Sequence, residues 1–225
     1  MIRTAGAALA VLLLAAIGFW SLAAGWHPSD ETYPDQGIDV SHHQGAIEWS
    51  SLPTQGVDFA YIKATEGGDY RDDRFAANWA GAARAGVPRG AYHFFTLCRS
   101  GAEQAANFIA AVPKGPMLAP AVDLEFGGNC ARPMPADRVM AELRTFNTRV
   151  EAHFGTRVVL YLTREFDQAY RVSARIRRPL WLRSIIRAPD WSPRPWALWQ
   201  VSNFRRLDGI TGRVDWNVRA ANEDL

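Results

Sequence analysis

Cysteine is scarce in this 225-residue chain, with Cys98 and Cys130 the only two, and neither stands in a Cys/His spacing that resembles a zinc site. No metal and no cofactor are implied. Lysine is almost as rare, two against 23 arginines, and the formal net charge of +2 is too small to argue for nucleic acid as a partner. There is no internal repeat. Charged residues make up 21% and apolar ones 48%, ordinary proportions that exclude extended disorder. The length suits one domain with a sizeable core and is too short for two full domains plus a membrane segment.

The one long apolar run lies at the start. Arg3 gives a positive beginning, and residues 7–24 then carry no charge and are dominated by Ala, Leu, Val, Ile and Phe. Such a segment reads as a secretory signal or as a membrane anchor. Small residues at Ser21-Leu22-Ala23-Ala24 offer cleavage points, whereas Phe19 and Trp20 are bulky, and the run has about the minimum length for crossing a bilayer. Both readings place the rest of the chain outside the inner membrane, in the periplasm or beyond, with a membrane tether in the second. The expected organisation is a signal or anchor over 1–25, a polar linker over 26–36, a catalytic domain over 37–219 and a short tail over 220–225. In an oxidising compartment Cys98 and Cys130, each following a predicted strand, are candidates for a loop-to-loop disulfide, two isolated thiols being the alternative.

Charge and tryptophan are unevenly spread. Between Trp26 and Cys130 there are 13 acids and 7 bases, whereas from Ala131 to Ala220 there are 17 arginines and 8 acids. A basic flank attracts anionic polymers, although a solvated arginine-rich surface gives the same count. Four of the nine tryptophans, Trp181, Trp191, Trp196 and Trp199, fall close together, and indoles serve either as stacking faces for sugar rings or as buried core.

Short β-rich runs alternate with helical ones. Strands are predicted over 37–41, 57–64, 88–95, 117–125, 157–162, 180–184, 197–202 and 214–216, and helices over 75–85, 102–111 and 136–154. This alternation predicts an α/β fold with a mostly parallel sheet, a small irregular TIM-like β/α barrel of about eight strands and fewer helices. The Pro-rich stretch 188–195 leaves no room for a full helix, so the second half should depart from a regular (β/α)8 design. Catalytic groups of such barrels sit at the C-terminal strand ends. Asp39, Lys63 with Glu66, Tyr92 with His93, Asp123 with Glu125, Arg183, Gln200 and Asp215 all fall at predicted strand ends.

Asp123-Leu124-Glu125 is the sharpest local pattern. Residues two apart on a strand share a face with Cα atoms roughly 6.5 Å apart. Two neighbouring carboxyls push their pKa values apart, leaving one protonated near neutrality, which suits glycosidic-bond cleavage. Taken alone, the pair also reads as a solvated strand end.

The ordered segments settle between these. Gly37-Ile38-Asp39-Val40-Ser41, Phe59-Ala60-Tyr61-Ile62-Lys63-Ala64-Thr65-Glu66-Gly67, Gly90-Ala91-Tyr92-His93-Phe94-Phe95, Asp123-Leu124-Glu125, Leu180-Trp181, Leu198-Trp199-Gln200 and Val214-Asp215-Trp216-Asn217 occur in one order across the domain. In this the chain resembles the glycoside hydrolase family 25 lysozymes, the Chalaropsis-type N-acetylmuramidases. The resemblance implies cleavage of peptidoglycan between N-acetylmuramic acid and N-acetylglucosamine, with glycan strands as partner and the chain working as a monomer.

It also implies roles. Glu125 is the general acid, Asp123 its stabilising or substrate-orienting partner, and Asp39 and Asp215 the acids of the groove floor. Tyr61, Tyr92 and Gln200 match positions lining the sugar site, and Lys63, Glu66, Trp181 and Arg183 are assigned to substrate binding beside them. On physical grounds the least solvated of the four acids should be the protonated one, and spacing does not say whether that is Asp123 or Glu125. The family is associated with retention of configuration, and the substrate's own N-acetyl group could act as nucleophile. Arg183 departs from the small apolar residue usual in the family, and could meet a peptide-stem carboxylate or one of the site's own acids. With no wall-binding module after the domain, wall affinity is expected from the groove and any tether. Two alternatives stand beside this reading. A chitinase-like hydrolase is disfavoured because Met117, Ala119 and Pro120 stand where that family's longer acidic ladder would be. A catalytically inactive glycan-binding barrel is disfavoured because all four carboxylates are present.

Overall fold

The computed structural model describes residues 25–221, so the expected signal or anchor, apart from residue 25, lies outside the described residues. Among the described residues no helix is long and apolar enough to cross a membrane. Nine strands form one sheet: β1 Gln36–Val40, β2 Phe59–Glu66, β3 Tyr70–Arg71, β4 Arg89–Phe94, β5 Ala121–Leu124, β6 Val159–Leu162, β7 Leu180–Arg183, β8 Leu198–Arg205 and β9 Val214–Arg219. The order is β1-β9-β8-β7-β6-β5-β4-β2-β3, and β2 pairs back to β1, which closes eight strands into a barrel and leaves β3 as a short antiparallel flap. The pairings from β1 through β2, β4, β5, β6 and β7 to β8 are parallel. Of the eight barrel strands β9 alone runs the other way, antiparallel to both β8 and β1.

The parallel strands read as near-continuous apolar runs because both of their faces are covered. All four residues of β6 are buried, as are seven of the eight in β2. Alternation then sorts them into two cores. Phe59, Tyr61, Ala121, Val159, Tyr161, Trp181 and Leu198 fill the barrel interior. Ile62, Val122, Leu160 and Leu182 face outward against Phe108, Leu143, Phe146 and Val150 of the helices. Gly37 and Gly90 make the interior aromatic layer fit: a Cβ on Gly37 would run into Phe59, and one on Gly90 would lie 2.5 Å from the Tyr61 ring.

The helices are α1 Phe75–Arg84, α2 Gly101–Ala111, α3 Ala136–Phe154, α4 Arg164–Tyr170 and α5 Val172–Arg175. α2 starts on a capping box, Ser100 accepting from the Glu103 amide while Glu103 accepts from Ser100. None of the described helices lies between β7 and β8 or between β8 and β9. Pro189, Pro193 and Pro195 withhold the amides a helix would need there, as the sequence suggested.

Residues 26–35 lie against the end of the barrel opposite the strand C-termini. Trp26 and Tyr33 pack on the outer core, and Gln36 donates to Pro28 O (3.1 Å), Asp30 Oδ1 (2.7 Å) and Tyr33 O (3.0 Å) while accepting from Trp216 Nε1 (2.6 Å). Most indoles serve packing: Trp49, Trp181, Trp199 and Trp216 are buried, and Trp26, Trp79, Trp191 and Trp196 pack half-buried on the outer core.

Candidate active site

The C-terminal ends of the parallel strands surround an open groove with a cavity volume of about 390 Å³. Its floor is carboxylate. Asp39 on β1 and Asp215 on β9 are direct cross-strand partners, and Asp123 is the last but one residue of β5, with Glu125 just beyond the strand end. Lys63, Glu66, Tyr92, Trp181, Arg183 and Gln200 line the same groove. The structure therefore brings together all but one of the residues assigned from the sequence to catalysis or substrate binding. The exception is Tyr61, expected to line the sugar site. It points into the barrel one layer below, fully buried, and its hydroxyl donates to Ala119 O at 3.1 Å. Strand alternation aims Tyr61 and Lys63 at the same interior, and only the later of the two reaches the mouth.

Hydrogen bonds hold the floor in place through residues that the sequence did not single out. Trp181 Nε1 donates to Asn217 Oδ1, and Asn217 Nδ2 donates in turn to Asp39 Oδ2, both at 2.8 Å. Tyr161 donates to Gln200 Oε1 at 2.5 Å, and Gln200 hydrogen-bonds Asp215. The loop bearing Glu125 is pinned by Asn129, whose Nδ2 donates to Glu125 O (3.0 Å) and Phe95 O (2.9 Å) while its Oδ1 accepts from Leu97 N (2.8 Å). Next to Asn129 the Cys98–Cys130 disulfide joins the loop after β4 to the loop after β5, with Cα atoms 6.0 Å apart. Asn217 lies within a segment already noted for its order. Asn129 and Tyr161 left no such signal: beyond its short-range bond to Glu125 O, Asn129 reaches Leu97 and Phe95, 32 and 34 residues away, and Tyr161 reaches Gln200, 39 away.

Electrostatics favour protons in this groove. Burial, then the Asp215 charge, pushes Asp39 well above the ordinary carboxylate range, opposed by the Asn217 hydrogen bond. Asp215 is pushed up to about 6, chiefly by burial, with the Gln200 hydrogen bond and Arg183 opposing. Burial followed by the Glu125 and Asp39 charges pushes Asp123 well up too, and its Oδ1 is buried with no hydrogen-bond partner among the described residues. Glu125 is raised less strongly, by burial, with Arg183 and Lys63 pulling it back. Four acids crowded into one low-dielectric cleft cannot all ionise cheaply, so the cluster retains protons near neutral pH. The strongest pushes fall on Asp39 and Asp123, so burial alone does not select Glu125 as the proton donor.

Two cations temper the cluster. Lys63 Nζ sits 2.7 Å from Glu66 Oε2 and 5.0 Å from the Phe94 ring centre. Arg183 acts on Glu125 and Asp215 through its charge, without an ion pair or side-chain hydrogen bond among the described residues. Tyr92 and Tyr161 keep their phenolic protons, burial and the surrounding acids raising both. His93, by contrast, is structural: fully buried, bonded to Thr65 Oγ1 (2.7 Å) and Gln104 Oε1 (3.1 Å), and lowered by burial to about 3. Among the described residues no group of three or more His, Cys, Asp or Glu side chains is arranged to hold a metal ion.

A closed barrel whose mouth gathers paired carboxylates, neutral phenols and an indole in an open groove defines a glycoside hydrolase. The family model for Glycosyl hydrolases family 25 matches residues 38–210, and the chain belongs to that family. It is similar to Lysozyme M1 of Streptomyces globisporus, 36% identical over 196 residues that cover 81% of this chain and 66% of that protein. Among solved structures it is similar to a family 25 glycosyl hydrolase from Bacillus anthracis, with 36% identity, a TM-score of 0.79, and coverage of 88% of this chain and 93% of that one. A bacterial lysozyme from Streptomyces coelicolor matches at 34% identity and a TM-score of 0.73, covering 84% and 93% of the two chains.

Proposed function

We propose that this protein is an exported peptidoglycan hydrolase, a muramidase that cleaves the β-1,4 bond between N-acetylmuramic acid and N-acetylglucosamine. The observation that carries the reading is the placing of Asp123 and Glu125 beside the Asp39–Asp215 pair in one groove. Glu125 is the general acid. It stands beyond the strand end on a loop fixed by Asn129, has the longer side chain, and is raised while staying near the cations that stabilise its anion once the proton has gone. Its proton passes to the glycosidic oxygen as the bond from that oxygen to the anomeric carbon breaks.

Asp123 orients the acetamido group by accepting its N–H, so that the acetamido oxygen attacks the anomeric carbon from the opposite face. Water then opens the ring so formed and returns a proton to Glu125, giving net retention. Asp39 and Asp215, sharing a proton, hydrogen-bond the sugar from below, and Trp181 offers the ring a flat apolar face. The similarity to named lysozymes supports the substrate class.

The protein, incubated with purified peptidoglycan and separately with chitin oligomers, is expected to release reducing muramic ends from the first only. Glu125→Gln should lower that release by about 10²- to 10⁴-fold. Undiminished activity of the variant removes the assignment of Glu125, release from chitin favours a chitinase, and initial release of the inverted anomer excludes the double-displacement route.

A further inference from the structure

A glycan strand fits a groove, but a wall polymer is branched: each muramic acid carries a peptide on its lactyl group, and that branch needs a way out. One is present at Arg183. This residue lines the catalytic groove and also a second cavity of about 500 Å³, walled by the start of α4 and by Ser184, Ile185, Arg187, Ala188 and Asp190 between β7 and β8. Arg164 and Trp191 line that cavity and continue into a third, of about 490 Å³, which also reaches Arg171. The groove and the second cavity share Arg183, and the second and third share Arg164 and Trp191, so the three lie side by side in a row of hollows, a side path that starts at the groove.

The guanidiniums of this path are mostly without a direct partner, although Arg183 also acts at a distance on Glu125 and Asp215. Arg164, Arg171 and Arg183 make no ion pair or side-chain hydrogen bond among the described residues, and Arg187 reaches only Asp190, at 3.4 Å, with both side chains exposed. Of the acids along it, Asp167 is occupied by Ser173, which donates to it from N (2.7 Å) and Oγ (2.6 Å), leaving Glu165 and Asp190 against four guanidiniums. Between the lining residues Ile185 and Arg187 the backbone is strained at Ile186. This β-branched residue holds φ at 69° with 58% of its surface exposed, fixed by Ile186 N donating to Val201 O (2.7 Å) and Arg187 N to Ile185 O (2.8 Å). An exposed Ile gains little from such a backbone, whereas the turn sets Arg187 at the rim.

We propose that the side path holds the peptide stem of the muramic acid at the cleavage point, with Arg164, Arg183 and Arg187 receiving its free carboxylates. The proposal rests on the muramidase reading, and makes the substrate a stem-bearing glycan rather than a bare one. Two measurements separate the ideas. The first is the ratio of kcat/KM on stem-bearing glycan strands to that on strands stripped of peptide by an amidase. It should exceed one for the wild type and fall by about fivefold in Arg164→Ala or Arg187→Ala, the scale of one exposed charge pair. The second is calorimetric binding of a muramyl peptide with free carboxylates against its fully amidated form, which should be tighter for the free acid in the wild type and equal in the double variant.

A ratio unmoved by either substitution, together with binding indifferent to amidation, overturns the stem path and leaves the muramidase standing. Turnover of neither polymer with charge-dependent muramyl peptide binding intact sinks the muramidase instead. A stem preference that survives full amidation also overturns the proposal, because bulk rather than charge would then be recognised.

Discussion

Asp215→Asn is expected to make the protein more stable and less active. In the folded chain this carboxyl is pushed from its ordinary 3.8 up to about 6, mostly by burial. Between those two values the native state binds more protons than the unfolded chain, so its stability falls as pH rises through that window. The difference corresponds to about 3 kcal/mol lost by neutral pH. Asparagine keeps the shape and can still take a hydrogen bond from Gln200, but has no charge to lose. The variant should therefore match the wild type near pH 4 and exceed it by up to about 3 kcal/mol at pH 7, an increase of about 1 M in the urea midpoint.

His93 works in the opposite sense, since burial holds it at about 3 and the unfolded chain takes up its proton first as pH falls towards that value. The difference between the two proteins, measured by urea titration at each pH, cancels that contribution. A difference that stays flat with pH, or that favours the wild type at neutrality, refutes the idea that the groove stores electrostatic strain at this acid. Equal activity of the two proteins on peptidoglycan would show that the strain serves nothing in catalysis.

Tyr61→Phe removes a hydroxyl that only Ala119 O receives, so thermal unfolding should fall by about 3 °C while kcat/KM on peptidoglycan stays unchanged; a tenfold loss of turnover would return Tyr61 to the sugar site. Gly90→Ala presses a methyl group against the Tyr61 ring and should cost about 1–3 kcal/mol in denaturant titration, with Tyr61→Ala partly rescuing it. Replacing Cys98 and Cys130 together by serine opens a loop spanning 32 residues, which should lower stability by about 2–4 kcal/mol and slow turnover as the Glu125 loop loosens; an unchanged rate would mean that Asn129 suffices to hold it.

Much of the site was legible because parallel strands of a barrel share one end, so Asp39, Lys63, Tyr92, Asp123 and Gln200 had to meet once their strands were identified. Asp215 met them for a different reason. It begins rather than ends β9, and only the reversed direction of that strand brings it to the mouth. A predicted strand of three residues, Val214-Asp215-Trp216, does not reveal its direction. Nor does periodicity tell which of Tyr61 and Lys63 reaches the top, since that depends on stagger around the whole barrel. β3, two residues long, is too short for any pattern, and the bonds from Asn129, Tyr161 and Asn217 exist only after distant strands have paired.

The reversed strand has a consequence for timing. β9 is the sole bridge between β8 and β1, and it carries both Asp215 and the Asn217 that grips Asp39. Shutting the barrel and assembling the acid cluster are thus one event, joining residues more than 170 positions apart. A growing chain that has not yet docked this strand holds Glu125 and Asp123 but no completed groove around them. The proposed hydrolysis, which needs all four acids together, therefore waits on the last closure of the barrel.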